Sequence, residues 1–336
     1  MVKLYWKPLE ELGEEAFSIR YKRYGRKTYF NINRHINPTN ICKDICKFCA
    51  FSAHRKNPNP YTYTIDEAVE IAGEAVKKGA KEVHIVSAHN PEVGYDYYLT
   101  IVKEIKRHYP QLHIKAFTAA EINFFSELTG KSYDEVLDDL IEAGVDSLPG
   151  GGAEIFDEEI RAKICKGKVS SENWLKIHRL WHKRGRKSNA TMLFGHIENR
   201  AHRIDHMLRI KRLQEETGGF NAFIPLVYQR KNNFLKVEKF LTAVEILKTI
   251  AIARILLSNI PHIKAYWVTT TFPLSLVAQE YGADDLDGTI ERETINSSAG
   301  ANSKNGMPLE ELVHGIKDSG FIPVERDSLY NEIKVY

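Results

Sequence analysis

Apolar and polar positions alternate along this 336-residue chain in repeated units of one short strand and one longer helix. Predicted strands, such as 82–86 and 220–225, are followed by segments in which apolar residues recur every three or four positions. Capping boxes, in which threonine or serine precedes a glutamate by three positions, open helical segments at Thr64 and Ser132. Repeated units of this kind predict a parallel sheet with helices outside it.

About six to eight such units predict a TIM-type (β/α) barrel, full or partial, whose active site lies at the carboxyl ends of its strands. A doubly wound open sheet is the alternative, but no G-x-G-x-x-G motif follows any predicted strand. We therefore expect a single α/β domain. It has an N-terminal helical extension over 1–28, a barrel core over 29–281 and a C-terminal extension over 282–336 that packs under or across the barrel.

The composition narrows the class of protein. Hydrophobic residues make up 43% of the chain and charged residues 27%, which is ordinary for a globular protein with a large core. The net charge of +3 gives no reason to expect nucleic acid. No apolar run approaches the roughly 20 residues that span a bilayer, and the N-terminus lacks the apolar segment of a signal peptide. We expect a cytoplasmic protein that does not insert into membranes.

The most distinctive segment is 42–49, where three of the four cysteines have the spacing C-x-x-x-C-x-x-C. It follows a predicted first strand at 29–33, so it would lie just past a strand's carboxyl end. Thiols this close cannot form disulfides without strain, and three converging thiolates indicate a metal site. An iron–sulfur cluster fits better than structural zinc, which needs four closed ligands, but a zinc-stabilised binding module is the alternative. Cys165 is expected to be a small core residue.

Residues that follow the other predicted strands are polar, small or unusual, as expected where they line a site. His89 is either a structural histidine or a ligand contact. The triple glycine at 150–152 is either a flexible turn or a place where the backbone approaches a ligand closely. Glu121 and Glu198 would be costly to bury without partners, so we expect a ligand's amine or hydroxyl groups to pair with them.

The cysteine spacing of 42–49, completed by Phe48 directly before the third cysteine, resembles the signature of the radical S-adenosylmethionine enzymes. Within that superfamily the chain resembles the radical enzymes of futalosine-pathway menaquinone and deazaflavin biosynthesis. The segments that carry this resemblance are 37–42, 48–52, 148–156, 189–198, 223–226 and 259–267.

This resemblance implies that Cys42, Cys46 and Cys49 hold a 4Fe–4S cluster and that S-adenosylmethionine is a consumed co-substrate. Relatives commonly differ from this chain at 87–89 and 228–230, which leaves the amine contact and the substrate contacts open there. The residues implied near S-adenosylmethionine are Phe48 at the adenine, Ser87, Ala88 and His89 at the methionine amine, and Glu121, Gly195 and Glu198 at the ribose and the methionine.

The reaction implied is addition of the 5′-deoxyadenosyl radical to the enol ether 3-[(1-carboxyvinyl)oxy]benzoate, with rearrangement and loss of a carboxyl group. A flavodoxin or ferredoxin would supply the electron. Two alternatives in the same group, the dehypoxanthine futalosine cyclase and the deazaflavin synthase subunit, abstract hydrogen instead. The anionic substrate needs cationic or amide partners in a site without water. We expect these among Arg55, His89, Gly151 and Arg230, and no side chain is assigned as acid or base.

Overall fold

The computed structural model describes residues 1–53, 58–238, 240–301 and 306–336. Its strands, in chain order, are β1 (Lys27–Asn31), β2 (Asn33–Ile36), β3 (Glu82–Ile85), β4 (His113–Ala116), β5 (Ser147–Leu148), β6 (Lys187–Phe194), β7 (Phe220–Val227), β8 (His262–Ile263), β9 (Asp285–Gly288), β10 (Ile322–Arg326) and β11 (Glu332–Val335). Strands β2 to β8 form one seven-stranded sheet in sequential order, and each neighbouring pair is parallel. This confirms the α/β, TIM-type architecture predicted from the sequence.

Helices alternate with the barrel strands, and further helices lie before and after this alternating part of the chain. They are α1 (Leu9–Tyr24), α2 (Ile65–Lys77), α3 (Tyr95–His108), α4 (Ala119–Thr129), α5 (Tyr133–Ala143), α6 (Glu158–Ile164), α7 (Ser171–Lys183), α8 (Arg200–Thr217), α9 (Ala243–Leu256), α10 (Trp267–Thr270), α11 (Phe272–Val277), α12 (Ile295–Ser298) and α13 (Leu309–Asp318), with 3-10 helices at Val2–Trp6 and Ala278–Tyr281. The capping boxes predicted at Thr64 and Ser132 are present at the starts of α2 and α5. Each satisfies two amide groups that the helix itself leaves unpaired.

The hydrophobic core lies between this helical layer and the sheet. Trp174 and Trp181 on α7 are fully buried, and Ile177 completes the same apolar stripe at helical spacing. The Trp174 indole Nε1–H donates to the Gly151 carbonyl at 3.1 Å, so this helix is fixed directly to the loop after β5. Truncation of a buried tryptophan to alanine costs about 3–5 kcal/mol, which makes this stripe a major contributor to stability.

A second sheet, in the order β11-β10-β1-β9, joins the two chain ends. The strand predicted at 29–33 is divided at Ile32, so β1 belongs to this sheet whereas β2 begins the barrel. The segment 284–291 links the two edge strands of the barrel. Ala265, after β8, donates its N–H to the Asp285 carbonyl at 2.9 Å, and His35 on β2 donates to the Glu291 carbonyl at 3.0 Å. Part of the 282–336 segment therefore lies in the barrel wall.

Candidate active site

A cavity of about 270 Å³ lies inside the barrel, and its lining combines loops after the strands with side chains of the strands themselves. The loop 42–49 contributes all three of its cysteines. The residues after β3, β4 and β5 contribute Ser87, Glu121 and Gly151 among others. Carboxyl ends of parallel strands meet at one end of a barrel, which is why residues so distant in sequence share one cavity.

Backbone hydrogen bonds hold the cysteine loop against three other segments. Lys43 donates its N–H to the His89 carbonyl at 2.9 Å, and the His89 N–H points at the Cys42 Sγ at 3.4 Å. Lys47 donates to the Ile164 carbonyl at 2.8 Å at the end of α6, and its own carbonyl accepts from Phe234 at 2.7 Å. The loop is thereby fixed at several points along its length before any ligand is bound.

The three cysteines of this loop are free thiols that line the cavity. Burial raises the pKa of Cys42, partly offset by the amide groups of His89 and Asp44. Burial also raises the pKa of Cys46 well above the usual range, with Lys168 acting in the opposite direction. Because metals bind the thiolate, loading this loop with iron must release protons. Three free thiols that line one cavity from a single short loop form a donor set suited to an iron–sulfur cluster.

A buried ion pair lies beside these thiols. The Lys168 Nζ is 2.8 Å from Glu154 Oε1 and 5.7 Å from the centroid of the Phe48 ring. Burial alone would lower the pKa of Lys168, but the negative charge of Glu154 and of nearby sulfur atoms outweighs it and raises the pKa. Lys168 therefore stays cationic and offers a fixed positive charge at the thiol end of the cavity. Lys168 is not among the site residues predicted from the sequence.

The end of β3 supplies the residues predicted near the methionine amine. The Ser87 Oγ is buried, lines the cavity and has no hydrogen-bond partner among the described residues, so a ligand atom could satisfy it. Ala88 is buried, with its N–H bonded to the Thr39 carbonyl at 3.2 Å. His89 is bonded through Nδ1 to Asp44 Oδ2 at 2.8 Å and stacks on Phe124. His89 therefore already has a structural partner on each side.

Glu121 lines the cavity, but protein groups already occupy its carboxylate. Oε1 accepts the Ser87 N–H at 2.6 Å, and Oε2 accepts the Thr118 N–H at 2.7 Å within the capping box of α4. Burial raises the pKa of Glu121 to about 7, because these two amides only partly offset the cost of burying a charge. Backbone amides supply the partners that the sequence argument expected from a ligand, so Glu121 fixes the position of Ser87.

Among the residues that the structure describes, Gly195 and Glu198 do not line this cavity. Glu198 is buried and accepts the N–H groups of Gly195 at 2.7 Å and His196 at 2.8 Å. Arg203 donates to Glu198 Oε1 at 2.7 Å, and this charge, together with His196, holds the pKa of Glu198 below its usual value although burial alone would raise it. Protein groups again supply the partners, and contact with the cofactor stays a prediction for both residues.

The triple glycine is a site of close packing between strands. A Cβ on Gly150 would lie 2.7 Å from the Ala190 carbonyl carbon, and one on Gly151 would lie 2.8 Å from Thr118 Cγ2. Gly152 has a φ of +84°, which side chains rarely adopt. The sequence left open a flexible turn or an approach to a ligand. The structure shows close approach of Gly150 to β6 and of Gly151 and Gly152 to the start of α4, while all three glycines also line the cavity.

The two predicted arginines differ in what the structure describes of them. Arg55 falls in 54–57, outside the described residues. Arg230 is exposed, stacks over Phe240 at 4.3 Å and lines a separate groove instead of the barrel cavity. Tyr228 and Gln229, directly before it, line the barrel cavity, whereas Arg230 does not. A role for Arg230 with a substrate bound in the barrel is therefore not supported by its position.

Charged side chains within the strands are the site residues that sequence reasoning missed. They lie at alternate positions of short buried strands, where a barrel interior would ordinarily be apolar. This alternation of charged with apolar residues in 82–85, 113–116 and 262–265 was the available signal. The missed residues that line the cavity are His35, Glu82, His84, Lys115, Lys264, Asp287 and Glu293.

Comparison with known proteins identifies the class. The family model of the Radical SAM superfamily matches residues 36–210, and that of the CofH/MqnC C-terminal region matches residues 217–335. The chain belongs to the radical SAM superfamily, whose enzymes use a 4Fe–4S cluster and S-adenosylmethionine. Solved structures agree on the fold. Methylornithine synthase (PylB) has a TM-score of 0.76 at 16% identity, with 96% of this chain and 92% of that chain covered.

Curated relatives place the chain more narrowly. Aminodeoxyfutalosine synthase of Thermus thermophilus is 44% identical, with 98% of this chain and 90% of the relative covered. The enzyme of the same name from Streptomyces coelicolor is 40% identical, with 97% and 87% covered. Cyclic dehypoxanthine futalosine synthase of Streptomyces coelicolor is 36% identical, with 98% and 83% covered. The segments quoted above most resemble aminofutalosine synthase within their group, and these relatives confirm that resemblance. In the described part of the chain, the helices are too short or too polar to cross a membrane.

Proposed function

We propose that this chain catalyses the reaction of aminodeoxyfutalosine synthase in menaquinone biosynthesis. The 5′-deoxyadenosyl group of S-adenosylmethionine is joined to 3-[(1-carboxyvinyl)oxy]benzoate, a carboxyl group leaves as carbon dioxide or bicarbonate, and the products are 6-amino-6-deoxyfutalosine and methionine. One observation carries the proposal. Identity to the two relatives with that name is 44% and 40% over nearly the whole chain, against 36% for the cyclic dehypoxanthine futalosine synthase and 39% for the 5-amino-6-(D-ribitylamino)uracil–L-tyrosine 4-hydroxyphenyl transferases of Archaeoglobus fulgidus and Methanocaldococcus jannaschii.

In this proposal Cys42, Cys46 and Cys49 hold the 4Fe–4S cluster, because their free thiols share one loop at the cavity. When bound, the cluster supplies the single electron that cleaves S-adenosylmethionine. Phe48 lines the same end of the cavity, and the unpaired Ser87 Oγ offers a hydrogen bond to the bound co-substrate. Glu121 keeps Ser87 in place through its backbone amide.

Apolar side chains between the loop and the barrel interior exclude water from the reaction. Leu193, Ile224 and Leu226 line this part of the cavity. A dry site protects a reactive radical from side reactions and leaves the chemistry to the cofactor, so the protein needs no acid–base dyad of its own. The electron donor in this proposal is a flavodoxin or ferredoxin. The reducing cytoplasm is the compartment that keeps the three thiols free.

The test uses enzyme that has been reconstituted with iron and sulfide under anaerobic conditions and then reduced. It is incubated with the enol ether and with S-adenosylmethionine that carries ¹³C in the ribose, and the products are separated and weighed by mass spectrometry. The expected result is a labelled adduct of the mass of aminodeoxyfutalosine together with unlabelled methionine. An enzyme that consumes the co-substrate and leaves the label only in free 5′-deoxyadenosine would contradict adenosyl transfer.

The second candidate is a hydrogen-abstracting member of the same group. It is favoured by the match of residues 217–335 to the CofH/MqnC C-terminal region and by the 36% identity to cyclic dehypoxanthine futalosine synthase. The same labelling experiment separates the two functions, because hydrogen abstraction releases one free 5′-deoxyadenosine for each substrate converted. Supplying dehypoxanthine futalosine in place of the enol ether, with formation of a cyclised product, would establish this second candidate.

A further inference from the structure

The inner end of the barrel cavity is lined by a ring of charged and polar side chains, which we call the inner polar ring. His35, His84 and Lys115 are direct neighbours in the registers of β2, β3 and β4, and all three line the cavity. The His35 and His84 ring centroids are 4.6 Å apart. The other members of the inner polar ring are Glu82 on β3, Lys264 after β8 and Asp287 on β9.

The two lysines of the ring differ in how fully they are paired. The Lys115 Nζ lies 2.6 Å from Glu82 Oε2, which is a short, charge-assisted bond. The Lys264 Nζ lies 3.3 Å from Asp287 Oδ2, and Asp287 also accepts the Asn33 Nδ2–H at 3.1 Å. That long bond is the one hydrogen bond found for the Lys264 ammonium among the described residues. An ammonium has three N–H donors, so Lys264 keeps donors available inside the cavity.

A second unused polar atom lies on the same ring. The His84 Nε2 is buried and has no hydrogen-bond partner among the described residues. Burial and the positive charge of Lys115 keep His84 neutral, since they hold its pKa well below the usual value. Leaving a buried polar atom unpaired costs about 1–3 kcal/mol. In the tautomer that carries its proton on Nε2, His84 donates to a bound acceptor and recovers that cost. Lys264 and His84 therefore offer a place for an anion at the inner end.

The apolar lining of the cavity indicates what kind of molecule the anionic group belongs to. Leu193, Ile224 and Leu226 line the cavity together with the ring and the cysteine loop. A flat apolar molecule with a carboxylate at one end fits a cavity that has both this charged lining and this apolar lining. Few polar groups are needed to fix its orientation. An aromatic carboxylate has this form. The reacting end of the molecule would then face the cysteine loop.

We propose that Lys264, assisted by His84, binds the ring carboxylate of an aromatic dicarboxylate and thereby orients its enol-ether end toward the cysteine loop. This inference rests on the proposed function and assigns the substrate contacts that Arg55 and Arg230 were expected to make. Lys264 is a specificity-determining residue in this arrangement. A ligand without the ring carboxylate leaves the Lys264 donors unpaired and binds more weakly.

The experiment combines a ligand change with a side-chain change. Dissociation constants are measured by calorimetry on anaerobically reconstituted, unreduced enzyme for 3-[(1-carboxyvinyl)oxy]benzoate, for 2-phenoxyprop-2-enoate, which lacks the ring carboxylate, and for tyrosine. Wild type should bind the dicarboxylate at least tenfold more tightly. Lys264→Met should bind it at least tenfold more weakly than wild type and should no longer distinguish the two ligands. Lys103→Met, at an exposed position on α3, is the matched control and should behave as wild type.

Removal of Lys264 alone leaves Asp287 without its cation and could unfold the barrel. The double variant K264M/D287N removes both charges and should fold, which its thermal midpoint checks, while it also loses the preference for the dicarboxylate. Retention of a tenfold preference in the double variant would overturn the role of Lys264. Wild type that binds neither ligand, or binds tyrosine in preference to the dicarboxylate, would instead overturn the proposed function together with this inference.

Discussion

Individual cysteines have unequal importance in this chain, although all four are free thiols. Cys42, Cys46 and Cys49 share one loop, whereas the fully packed Cys165 ends α6 and has a pKa raised by burial to about 11. Ile164, next to Cys165, accepts a hydrogen bond from Lys47, so α6 supports the loop from outside it. Among the residues that the structure describes, Cys165 is not part of the cavity lining, whereas the three loop cysteines are, so Cys165 is not placed to hold a cluster there.

Alanine in place of Cys42, Cys46 or Cys49 is therefore expected to prevent stable cluster binding, because each removes one of three ligands. Iron and sulfide analysis after anaerobic reconstitution measures this directly. Each variant should retain less than about a tenth of the wild-type iron and sulfide content. That fraction corresponds to a loss of about 1.4 kcal/mol or more in cluster binding. Cys165→Ser is the matched control and should retain the full content. Full iron content in Cys46→Ala would refute the ligand assignment.

The two parts of the site differ in how far the sequence reveals them. The cysteine ligands can be predicted from the sequence, because three thiols within eight residues are rarely needed for the fold alone. The inner polar ring is not readable in the same way, because His35, Lys115 and Lys264 are far apart in sequence and meet only through strand register. Glu121 shows a third case. Its T-x-x-E pattern with Thr118 is a capping box, and this structural role accounts for its burial.

At the scale of elements, strand and helix order was predictable and sheet membership was not. Helical spacing and capping boxes are local signals, and the boxes predicted at Thr64 and Ser132 mark the observed starts of α2 and α5. The division of 29–33 into β1 and β2 depends on pairing of β1 with β10, a strand at the far end of the chain. A local sequence pattern does not indicate pairing with a strand so far along the chain, so the first barrel strand could not be placed correctly from the sequence.

Close packing of the loop after β5 onto β6 leads to a prediction for Gly150. Gly150→Ala would place a Cβ 2.7 Å from the Ala190 carbonyl carbon, which is backbone and cannot rotate away. We expect the free energy of unfolding to fall by about 1–3 kcal/mol, the usual cost of overpacking. Denaturant titration of the purified protein measures it.

Gly94→Ala provides the control for this change, because an added Cβ at Gly94 meets no atom within 4 Å. Gly94 is the N-cap of α3, where alanine is a poorer cap than glycine, so the unfolding free energy should fall by about 1 kcal/mol or less. Equal stability of the two alanine variants would show that the strands can separate at Gly150 without cost. In that case the triple glycine would have to be explained by ligand approach alone.

At the scale of the whole molecule, the barrel is held together by buried ion pairs between distant segments. Asp284 is fully buried and accepts hydrogen bonds from Arg254 on α9, from His262 on β8 and from the Ile263 N–H at 2.9 Å. Arg326 on β10 bonds Asp285 at 2.8 Å. These contacts fix the segment 284–291 between the edge strands, so the barrel wall and the second sheet form one cooperative structure.

Asp284→Asn should therefore destabilise the whole fold instead of one element. The change leaves Arg254 buried without its counter-charge, which costs about 3–5 kcal/mol. Circular dichroism and tryptophan fluorescence, followed through the same denaturant titration, should show a single transition shifted to lower denaturant concentration. The matched control is Asp205→Asn at an exposed position on α8, which should shift the transition by about 0.5 kcal/mol or less.

The pH dependence of this variant supplies an independent check. Burial alone would raise the pKa of Asp284, but His262, Arg254 and the Ile263 amide outweigh it and hold the pKa below its usual value. A depressed folded-state pKa contributes stability that is present above the usual pKa of about 4 and is lost as pH falls through the folded value. The stability gap between wild type and Asp284→Asn should consequently be largest near neutral pH and should narrow below about pH 4. A gap that stays constant to pH 3 would mean that the Asp284 charge does not hold the segment 284–291 in the barrel wall.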